Sequence, residues 1–225
     1  MIKTAILVDC DFFLRRYFAK CGAAYKTDPK RMAKTLIDHC MRHIKKRNER
    51  LYRIFVYDCP PLSKKVHHPI TNRPIDFSKT DVYMFRTSLH DELRKKPNTA
   101  LRLGYLDESN AQWVVKDTKK HKRLLSGAIT CNDLCDDDLK YVAKQKGVDM
   151  KIGLDIATLT HKKLVDRIVL ISGDSDFVPA AKLARREGIN FVLDAMWHPI
   201  KPDLQEHIDR LHTTLKCPND TADNN

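Results

Sequence analysis

Residues 167–193 read RIVLISGDSDFVPAAKLARREGINFVL, and this stretch decides the fold class. The apolar run Ile168–Ile171 predicts a buried strand, and Phe177–Glu187, which ends at Gly188, predicts a helix. A second apolar run, Ile189–Leu193, predicts another buried strand. Strand, helix and strand in this order are typical of a right-handed crossover, so the stretch indicates a parallel sheet covered by helices.

The same alternation continues on both sides of this unit. Apolar runs at Ala5–Val8 and Arg53–Tyr57 predict two further buried strands, with a helix between them that begins near Pro29. Three more helices are predicted by the spacing of their apolar residues: Thr80 to Lys96, Met150 to about Lys163, and Pro202 to Leu211. The whole pattern predicts a three-layer α/β domain, with a mainly parallel central sheet flanked by helices.

Two stretches between these elements have a different character. The Pro-, His- and Lys-rich segment Cys59–Lys79 shows no periodicity and is expected to be a surface loop. Leu101–Leu106 and Gln112–Lys116 read as two strands joined by a turn through Asp107–Asn110. They predict a hairpin at the edge of the sheet.

The composition favours a polyanionic partner. The 225 residues contain 41 Lys and Arg against 29 Asp and Glu, which gives a formal net charge of +12 at pH 7. Because Lys and Arg side chains neutralise phosphates, nucleic acid is the natural candidate. The length suits one hydrophobic core, so residues 1–215 are expected to form a single domain and the polar residues 216–225 a disordered tail.

Two further features bear on localisation. No apolar run approaches the ~20 residues of a membrane helix, and the start of the chain has no signal-peptide pattern. The seven cysteines are irregularly spaced, which is typical of free thiols rather than of a disulfide framework. We therefore expect a cytoplasmic protein with no membrane partner.

Aspartates follow the predicted strands at the ends where parallel sheets bind ligands. Asp9 comes directly after the first apolar run, Asp174 and Asp176 come after the third, and Asp149 opens the helix that leads into the third. If Asp9 and Asp174 lie on adjacent strands, these acids cannot all stay ionised without a cation. The pattern predicts a carboxylate cluster for a hard ion such as Mg²⁺ or Mn²⁺, whose bound water attacks a phosphodiester.

Each acid also has a purely structural alternative. Asp176 or Ser175 would suit the N-cap of the following helix, and Asp149 would suit a first helical turn because of the helix dipole. Asp9 has no evident capping role, so a functional role is favoured for it. Two other acids that end apolar runs are assigned mainly to structural roles: Asp58 and Asp194.

Three segments carry a resemblance to the NYN family of PIN-like nucleases: AILVDCDFF at residues 5–13, KGVDMKIGLDIA at 146–157 and ISGDSDFVPAAKLARREG at 171–188. They occur in the family's order, and they are most like the bacterial members. The resemblance implies a PIN-like, Rossmannoid fold and a Mg²⁺- or Mn²⁺-dependent ribonuclease that acts on RNA. Matched residue by residue, it implies catalytic and metal-binding acids at Asp9, Asp149, Asp174 and Asp176, with Asp155 as a more peripheral metal ligand.

The chain departs from the family after its first aspartate. Many members have Gly-Glu-Asn or Gly-Asn-Asn there, where this chain has Cys10, Asp11 and Phe12. Asp11 is therefore expected to replace a polar contact to the substrate. The basic residues expected to contact RNA lie near the predicted acidic edge: Arg15, Arg16, Lys64, Lys65, Arg73, Lys146 and the run Lys119 to Arg123.

Three alternatives remain open at this point. A catalytically inactive NYN module would bind RNA without cutting it. A haloacid-dehalogenase-like phosphatase also has aspartates after two strands, like Asp9-Cys10-Asp11 and Gly173–Asp176 here, although its intervening motifs are missing. Zinc is not favoured, since the pairs His39 and His43, and Cys131 and Cys135, each lack a second pair of ligands.

Overall fold

The computed structural model describes residues 1–22, 27–45 and 47–215, so the predicted tail at 216–225 lies outside the described residues. The strands are β1 (Ile2–Asp9), β2 (Glu49–Asp58), β3 (Lys65–His67), β4 (Pro74–Asp76), β5 (Thr99–Leu103), β6 (Tyr105–Val115), β7 (Leu139–Lys146), β8 (Arg167–Ile171), β9 (Asn190–Asp194) and β10 (Arg210–Leu211). The helices are α1 (Cys10–Cys21), α2 (Pro29–Met41), α3 (Asp81–Arg94), α4 (Thr118–Leu125), α5 (Val148–His161), α6 (Val178–Arg186) and α7 (Pro202–Glu206).

Six strands form one parallel sheet in the order β10-β9-β8-β1-β2-β5. β1 lies between β2 and β8, and its Val8 pairs with Ile171 of β8. The chain order runs outwards from β1 on one side and from β8 on the other, so the topological switch point lies between these two strands. The expected adjacency of the strands that precede Asp9 and Asp174 is therefore confirmed.

Helices cover both faces of this sheet, which confirms the predicted α/β class. On one face, α2 and α3 bury Leu36 and Leu89 in the same cluster as Val8 of β1. On the other face, α5 buries Ile156 in the same cluster as Leu7 of β1. Because neighbouring residues of a central strand point to opposite faces, such a strand is apolar without interruption.

Helix α1 was not predicted from the sequence. It begins at Cys10, directly after β1, with no intervening loop. Phe12, Phe13 and Leu14 are buried in succession, so the segment lacks the alternation of apolar and polar residues that marks a helix with one exposed face.

The predicted hairpin between Leu101–Leu106 and Gln112–Lys116 is wrong. β5 lies in the parallel sheet next to β2, and β6 continues through the expected turn to pair with β7 in a separate antiparallel ribbon. The register of this ribbon shifts between Asp107 and Gln112, so the polar residues form an irregularity within a strand.

Three smaller features complete the fold. The predicted loop at Cys59–Lys79 contains the short hairpin of β3 and β4. The last helix ends at Glu206 rather than Leu211, because Arg210 and Leu211 pair with β9 as an edge strand. The six described cysteines are all free thiols.

In the part of the chain described here, no helix combines the length and apolar character that a bilayer-spanning segment needs.

Candidate active site

Asp9 lies where β1 turns directly into α1. Its Oδ1 accepts a hydrogen bond from the Phe12 N–H at 3.1 Å, so Asp9 is the N-cap of this helix. The inference that Asp9 has no capping role is therefore wrong. The cap fixes the orientation of the carboxyl group at the switch point of the sheet.

Asp174 and Asp176 follow β8, the neighbouring strand. The Asp174 Oδ1 accepts the Asp176 N–H at 3.0 Å and caps a short 3-10 turn at Ser175–Phe177. Capping was expected of Asp176 or Ser175, and Asp174 performs it instead. Both aspartates are exposed to solvent, so both carboxylates are accessible to a ligand.

Gly173 allows close packing behind this turn. A Cβ atom at this position would lie 2.7 Å from Cδ2 of His198 and 2.7 Å from Cε2 of Phe12. The glycine is therefore required by the approach of α1 and of the loop after β9, and its φ is not in the left-handed region.

Asp149 reaches the same region from a different element. Gly147, with φ of 77°, precedes α5, and Asp149 lies in the first turn of that helix. Burial raises the pKa of Asp149, and the negative charges of Asp174 and Asp176 raise it further. Asp149 is therefore in electrostatic contact with the two acids that follow β8.

Asp9 is coupled to the same group. Burial raises the pKa of Asp9 to about 6, and the charges of Asp11 and Asp149 add to the rise, whereas the Phe12 hydrogen bond and Arg15 oppose it. The four predicted acids therefore form one electrostatic group across β1, β8 and α5, which we call the acid cluster: Asp9, Asp149, Asp174 and Asp176.

The acid cluster suits a hard divalent cation. Its donors are all carboxylate oxygens, the ligands that Mg²⁺ and Mn²⁺ prefer, and the side chains of Asp149 and Asp176 form no hydrogen bond or ion pair with a described residue. Among the described residues, no three of these acids bring their oxygens within 4.8 Å of one another. Water would therefore complete the shell of a bound ion, as is usual for Mg²⁺.

Asp155 lies further along α5, and its carboxylate has other partners. Its Oδ2 accepts a hydrogen bond from the Tyr57 hydroxyl at 2.7 Å and pairs with Nε of Arg102 at 2.6 Å. Burial raises the pKa of Tyr57, and the Asp155 carboxylate raises it further, so the hydroxyl keeps its proton and donates it to Asp155. The role of Asp155 as a peripheral metal ligand stays a prediction.

A second polar network lies beside the acid cluster. The guanidinium of Arg86 on α3 donates to both oxygens of the buried Asp58, at 2.8 and 2.9 Å, and also binds Asp11. Nε2 of His90 lies 2.8 Å from Asp58, which also accepts the Cys59 N–H. Although burial raises the pKa of Asp58, His90 and Arg86 together hold it below its usual value. This network agrees with the structural role assigned to Asp58.

Arg86 was not among the predicted site residues. It lies one turn before His90 on α3, and its side chain is only 17% exposed. The pattern that could have revealed Arg86 is its spacing of four residues from His90, on a helix face next to the apolar residues Leu89 and Leu93. Arg86 connects Asp11, two residues after Asp9, with Asp58 at the end of β2.

Two of the basic residues predicted to contact RNA, Arg15 and Arg16, bind groups of the protein itself. Arg16 donates two hydrogen bonds to the Met196 carbonyl oxygen, at 2.9 and 3.1 Å, and so ties α1 to the loop after β9. Arg15 is exposed and pairs with Asp11 at 3.1 Å. Arg16 therefore supports the site, whereas Arg15 lies on its surface.

The other basic residues are more accessible. Lys64 donates to the Glu108 carbonyl oxygen at 3.2 Å, and Lys65 lies 3.7 Å from Asp76 across the β3–β4 hairpin. The exposed side chains of Arg73 and Lys146 form no ion pair with a described residue. Lys146 immediately precedes Gly147 at the start of α5, which places it near Asp149.

The fold and the site together define a three-layer α/β domain with an acidic centre at the switch point of its sheet. The family model described as NYN domain matches residues 69–215, more than half of the chain. The chain belongs to the NYN domain family, whose domain is part of the PIN-like nuclease superfamily. The match includes Asp149, Asp174 and Asp176, begins after Asp9, and favours the NYN resemblance over the haloacid-dehalogenase alternative.

One solved structure is similar in outline. It is described as a protein of unknown function, VPA0982 from Vibrio parahaemolyticus RIMD 2210633, with 14% sequence identity and a TM-score of 0.45. The similarity covers 95% of this chain and 93% of that one. A comparison with curated proteins finds no match.

Proposed function

We propose that the protein is a Mg²⁺- or Mn²⁺-dependent endoribonuclease. The observation that carries the proposal is the acid cluster at the topological switch point of a chain in the NYN domain family. Ligands bind at this point in open parallel sheets. The charges of Asp174 and Asp176 raise the pKa of Asp149, and the charge of Asp149 raises that of Asp9, so a bound cation would relieve this repulsion.

The proposed roles follow from the position of each acid. Asp9, Asp149, Asp174 and Asp176 hold the metal and are the catalytic residues, with Asp155 as a more peripheral ligand. When bound, Mg²⁺ or Mn²⁺ supplies a water of lowered pKa and stabilises the negative charge on the leaving oxygen. The two N-caps, at Asp9 and Asp174, orient their carboxylates before an ion arrives.

RNA is the proposed substrate because the protein carries a net charge of +12 and exposes basic side chains, of which Lys146 lies three residues before Asp149. Arg73 and Lys146 are free to contact phosphates. Asp11, held by Arg86, is the polar group nearest Asp9 along the chain. The remaining proposed substrate contacts are Arg15, Lys64 and Lys65. Arg16 contributes indirectly, because its hydrogen bond to Met196 positions the loop after β9. We also propose that residues 1–215 work as a single domain in the cytoplasm.

Cleavage of labelled RNA and DNA of several structures, in Mg²⁺, Mn²⁺ or chelator, tests this function. We expect RNA cleavage that depends on the metal. Asp9→Asn and Asp149→Asn should each reduce the cleavage rate by at least ~10²-fold, because each removes part of the metal clamp.

Asp91→Asn is the matched control, since Asp91 is an exposed acid that pairs only with Arg94 on the same helix. It should leave the rate unchanged. Full cleavage activity in chelator would contradict the proposal. RNA binding without cleavage in any metal would instead show a binding module, and hydrolysis of a simple phosphomonoester alone would show a phosphatase.

A further inference from the structure

A buried cluster of metal-binding side chains lies outside the acid cluster. His39, in the last turn of α2, and His43, just after it, both turn towards Asp194 at the end of β9. Nε2 of His39 and Nε2 of His43 lie 2.9 and 2.8 Å from the same oxygen, Oδ2 of Asp194. The three side chains are at most 2% exposed.

A hydrogen bond to the backbone orients the Asp194 carboxylate so that one of its oxygens can bind a metal ion. Oδ1 of Asp194 accepts the Met196 N–H at 2.9 Å, and Oδ2, which faces the two imidazoles, also accepts the Thr214 N–H at 3.4 Å. Oγ1 of Thr214 lies 3.4 Å from Nε2 of both histidines. A carboxylate whose second oxygen is fixed by a hydrogen bond is the usual arrangement around a protein-bound metal.

We propose that His39, His43 and Asp194 form a binding site for one Zn²⁺ ion. Two imidazole nitrogens and one carboxylate oxygen are a donor set that Zn²⁺ binds in proteins. All three potential ligand atoms lie within 4.8 Å of one another. A tetrahedral ion with bonds of about 2.0–2.1 Å holds its ligand atoms roughly 3.3 Å apart, so the donors must separate by about half an ångström.

Binding requires a change of tautomer as well. In the hydrogen-bonded arrangement both rings carry their proton on Nε2, which donates to Asp194. A metal ion takes the Nε2 lone pairs, and the protons then reside on Nδ1. The ion thus replaces two hydrogen bonds to one carboxylate oxygen with three metal–ligand bonds.

The structure offers both a route for the ion and a fourth ligand. A cleft of about 210 Å³ is lined by His43 and His212, among other residues. The His212 ring packs edge-on against His43 with 5.5 Å between centroids, and the Thr214 hydroxyl oxygen lies 3.4 Å from Nε2 of His43. Either side chain, or a water that enters through the cleft, would complete a tetrahedron.

The site would join three parts of the chain. It connects α2 to β9 and to the segment after β10, and β9 leads into the loop that Arg16 holds through Met196. His198 of this loop packs against Phe12, and both would contact a Cβ at position 173. The ion would therefore stabilise one wall of the acid cluster without belonging to it.

Titration of the full chain with Co²⁺ tests the site, because tetrahedral Co²⁺ has visible absorption bands that report its ligands. The protein is used without a histidine tag. We expect one equivalent of Co²⁺ with the intense bands of a tetrahedral ion, displaced by Zn²⁺, in the wild type and in Asp9→Asn. In His43→Gln and Asp194→Asn the affinity should fall more than ~100-fold, since loss of a ligand costs more than loss of an outer partner.

His207→Gln is the control for the second group of potential ligands, Asp203, Glu206 and His207, which lies mostly exposed on a five-residue helix. It should bind Co²⁺ like the wild type. Bands that disappear in Asp9→Asn and persist in His43→Gln would place the ion in the acid cluster and overturn the proposal. Absence of one-equivalent binding in the wild type would show a hydrogen-bonded cluster only.

If His43→Gln and Asp194→Asn do not fold, the melting temperatures of the wild type and Asp9→Asn decide. Zn²⁺ should raise both melting temperatures relative to chelator, because a ligand bound only by the native state stabilises it. No rise in Asp9→Asn would overturn the site. Cleavage of RNA is measured separately, so either proposal can fail without the other.

Discussion

At the scale of single residues, Asp9 combines a structural and a proposed catalytic role. Its hydrogen bond to the Phe12 N–H stabilises the start of α1, whereas its burial beside Asp11 and Asp149 destabilises the ionised carboxylate. These two effects have opposite signs in the free energy of unfolding. A substitution that keeps the cap and removes the charge separates them.

We expect Asp9→Asn to be more stable than the wild type in chelator at pH 8. Asparagine also caps helices well, and burial raises the pKa of Asp9 from an ordinary value of 3.8 to about 6 in the folded protein. An acid whose pKa is raised on folding destabilises the fold fully above the folded pKa and not at all below the unfolded one. The gain should be on the order of 1–3 kcal/mol at pH 8, shrink to about 0.5 kcal/mol at pH 4, and vanish at lower pH.

Urea unfolding of both proteins across this pH range measures the difference. Asp91→Asn, which removes an exposed charge, should show no comparable change with pH. A mutant that is less stable than the wild type at pH 8 would mean that the cap outweighs the repulsion.

Asp174 and Asp176 provide a second comparison. Asp174 caps the turn at Ser175–Phe177, and the Asp176 side chain makes no hydrogen bond with a described residue. In chelator, Asp174→Ala should therefore cost about 0.5–2 kcal/mol, and Asp176→Ala should cost much less. Both should lose RNA cleavage if both bind the metal.

Thermal melts in chelator, followed by cleavage assays in Mn²⁺, test this pair. Equal destabilisation by the two substitutions would show that the hydrogen bond of Asp174 contributes little. Retained cleavage in Asp176→Ala would remove this residue from the proposed site.

At the scale of elements, Arg86 of α3 connects the end of β2 to the start of α1, because it binds both Asp58 and Asp11. We expect Arg86→Met to cost about 3–5 kcal/mol, because it leaves the buried Asp58 without its cation. Arg94→Met on the same helix is the matched control. Arg94 forms an exposed pair with Asp91, so its loss should cost at most about 0.5 kcal/mol.

Denaturant unfolding of the two variants gives both values. The substitution at position 86 should also slow RNA cleavage, since Asp11, two residues after Asp9, loses one of its two arginine partners. Similar stabilities for the two variants would contradict the proposed importance of the buried pair.

The strands of the sheet were predictable from the sequence where both of their faces are buried, because burial then makes every residue apolar. The apolar cores of β1, β2, β8 and β9 were recognised, because strands covered on both faces are uninterrupted apolar runs. β6 was not, because its partner β7 is more than twenty residues away, and Asp107, Ser109 and Asn110 have the composition of a turn. Their hydrogen bonds stabilise a strand irregularity instead.

The candidate site was predictable to the extent that it depends on strand ends. Asp9 and Asp174 were expected together, since the carboxyl ends of adjacent parallel strands meet at one edge of the sheet. The contact of Arg86 with Asp58 and the contact of His43 with Asp194 were not expected. Both join helices to strand ends far away in the sequence, and no local pattern records such a pairing.

At the scale of the whole molecule, the charge of +12 should control binding to RNA. The logarithm of the binding constant should fall with the logarithm of the salt concentration, by roughly 0.7 for each phosphate contacted on a single strand. The double variant Arg73→Gln and Lys146→Gln should therefore lower the slope by about 1.4. Lys95→Gln, at an exposed pair with Glu92, should leave the slope unchanged.

Fluorescence anisotropy with labelled RNA in chelator, over a series of salt concentrations, measures these slopes without cleavage. A slope near zero for the wild type would show that the excess of basic residues has no part in binding. An unchanged slope in the double variant would show that RNA binds to a surface that does not include Arg73 and Lys146.

The central position of β1 has a consequence for how the protein is made. β1 pairs with β8 as well as with β2, and the Lys3 N–H donates to Asp166, 163 residues later in the chain. During translation, Asp9 therefore leaves the ribosome long before Asp149, Asp174 and Asp176 have been added. Until then, the messenger RNA being read is exposed only to an incomplete site. A nuclease assembled in this order gains the proposed cleavage activity only after its chain has been made beyond Asp176.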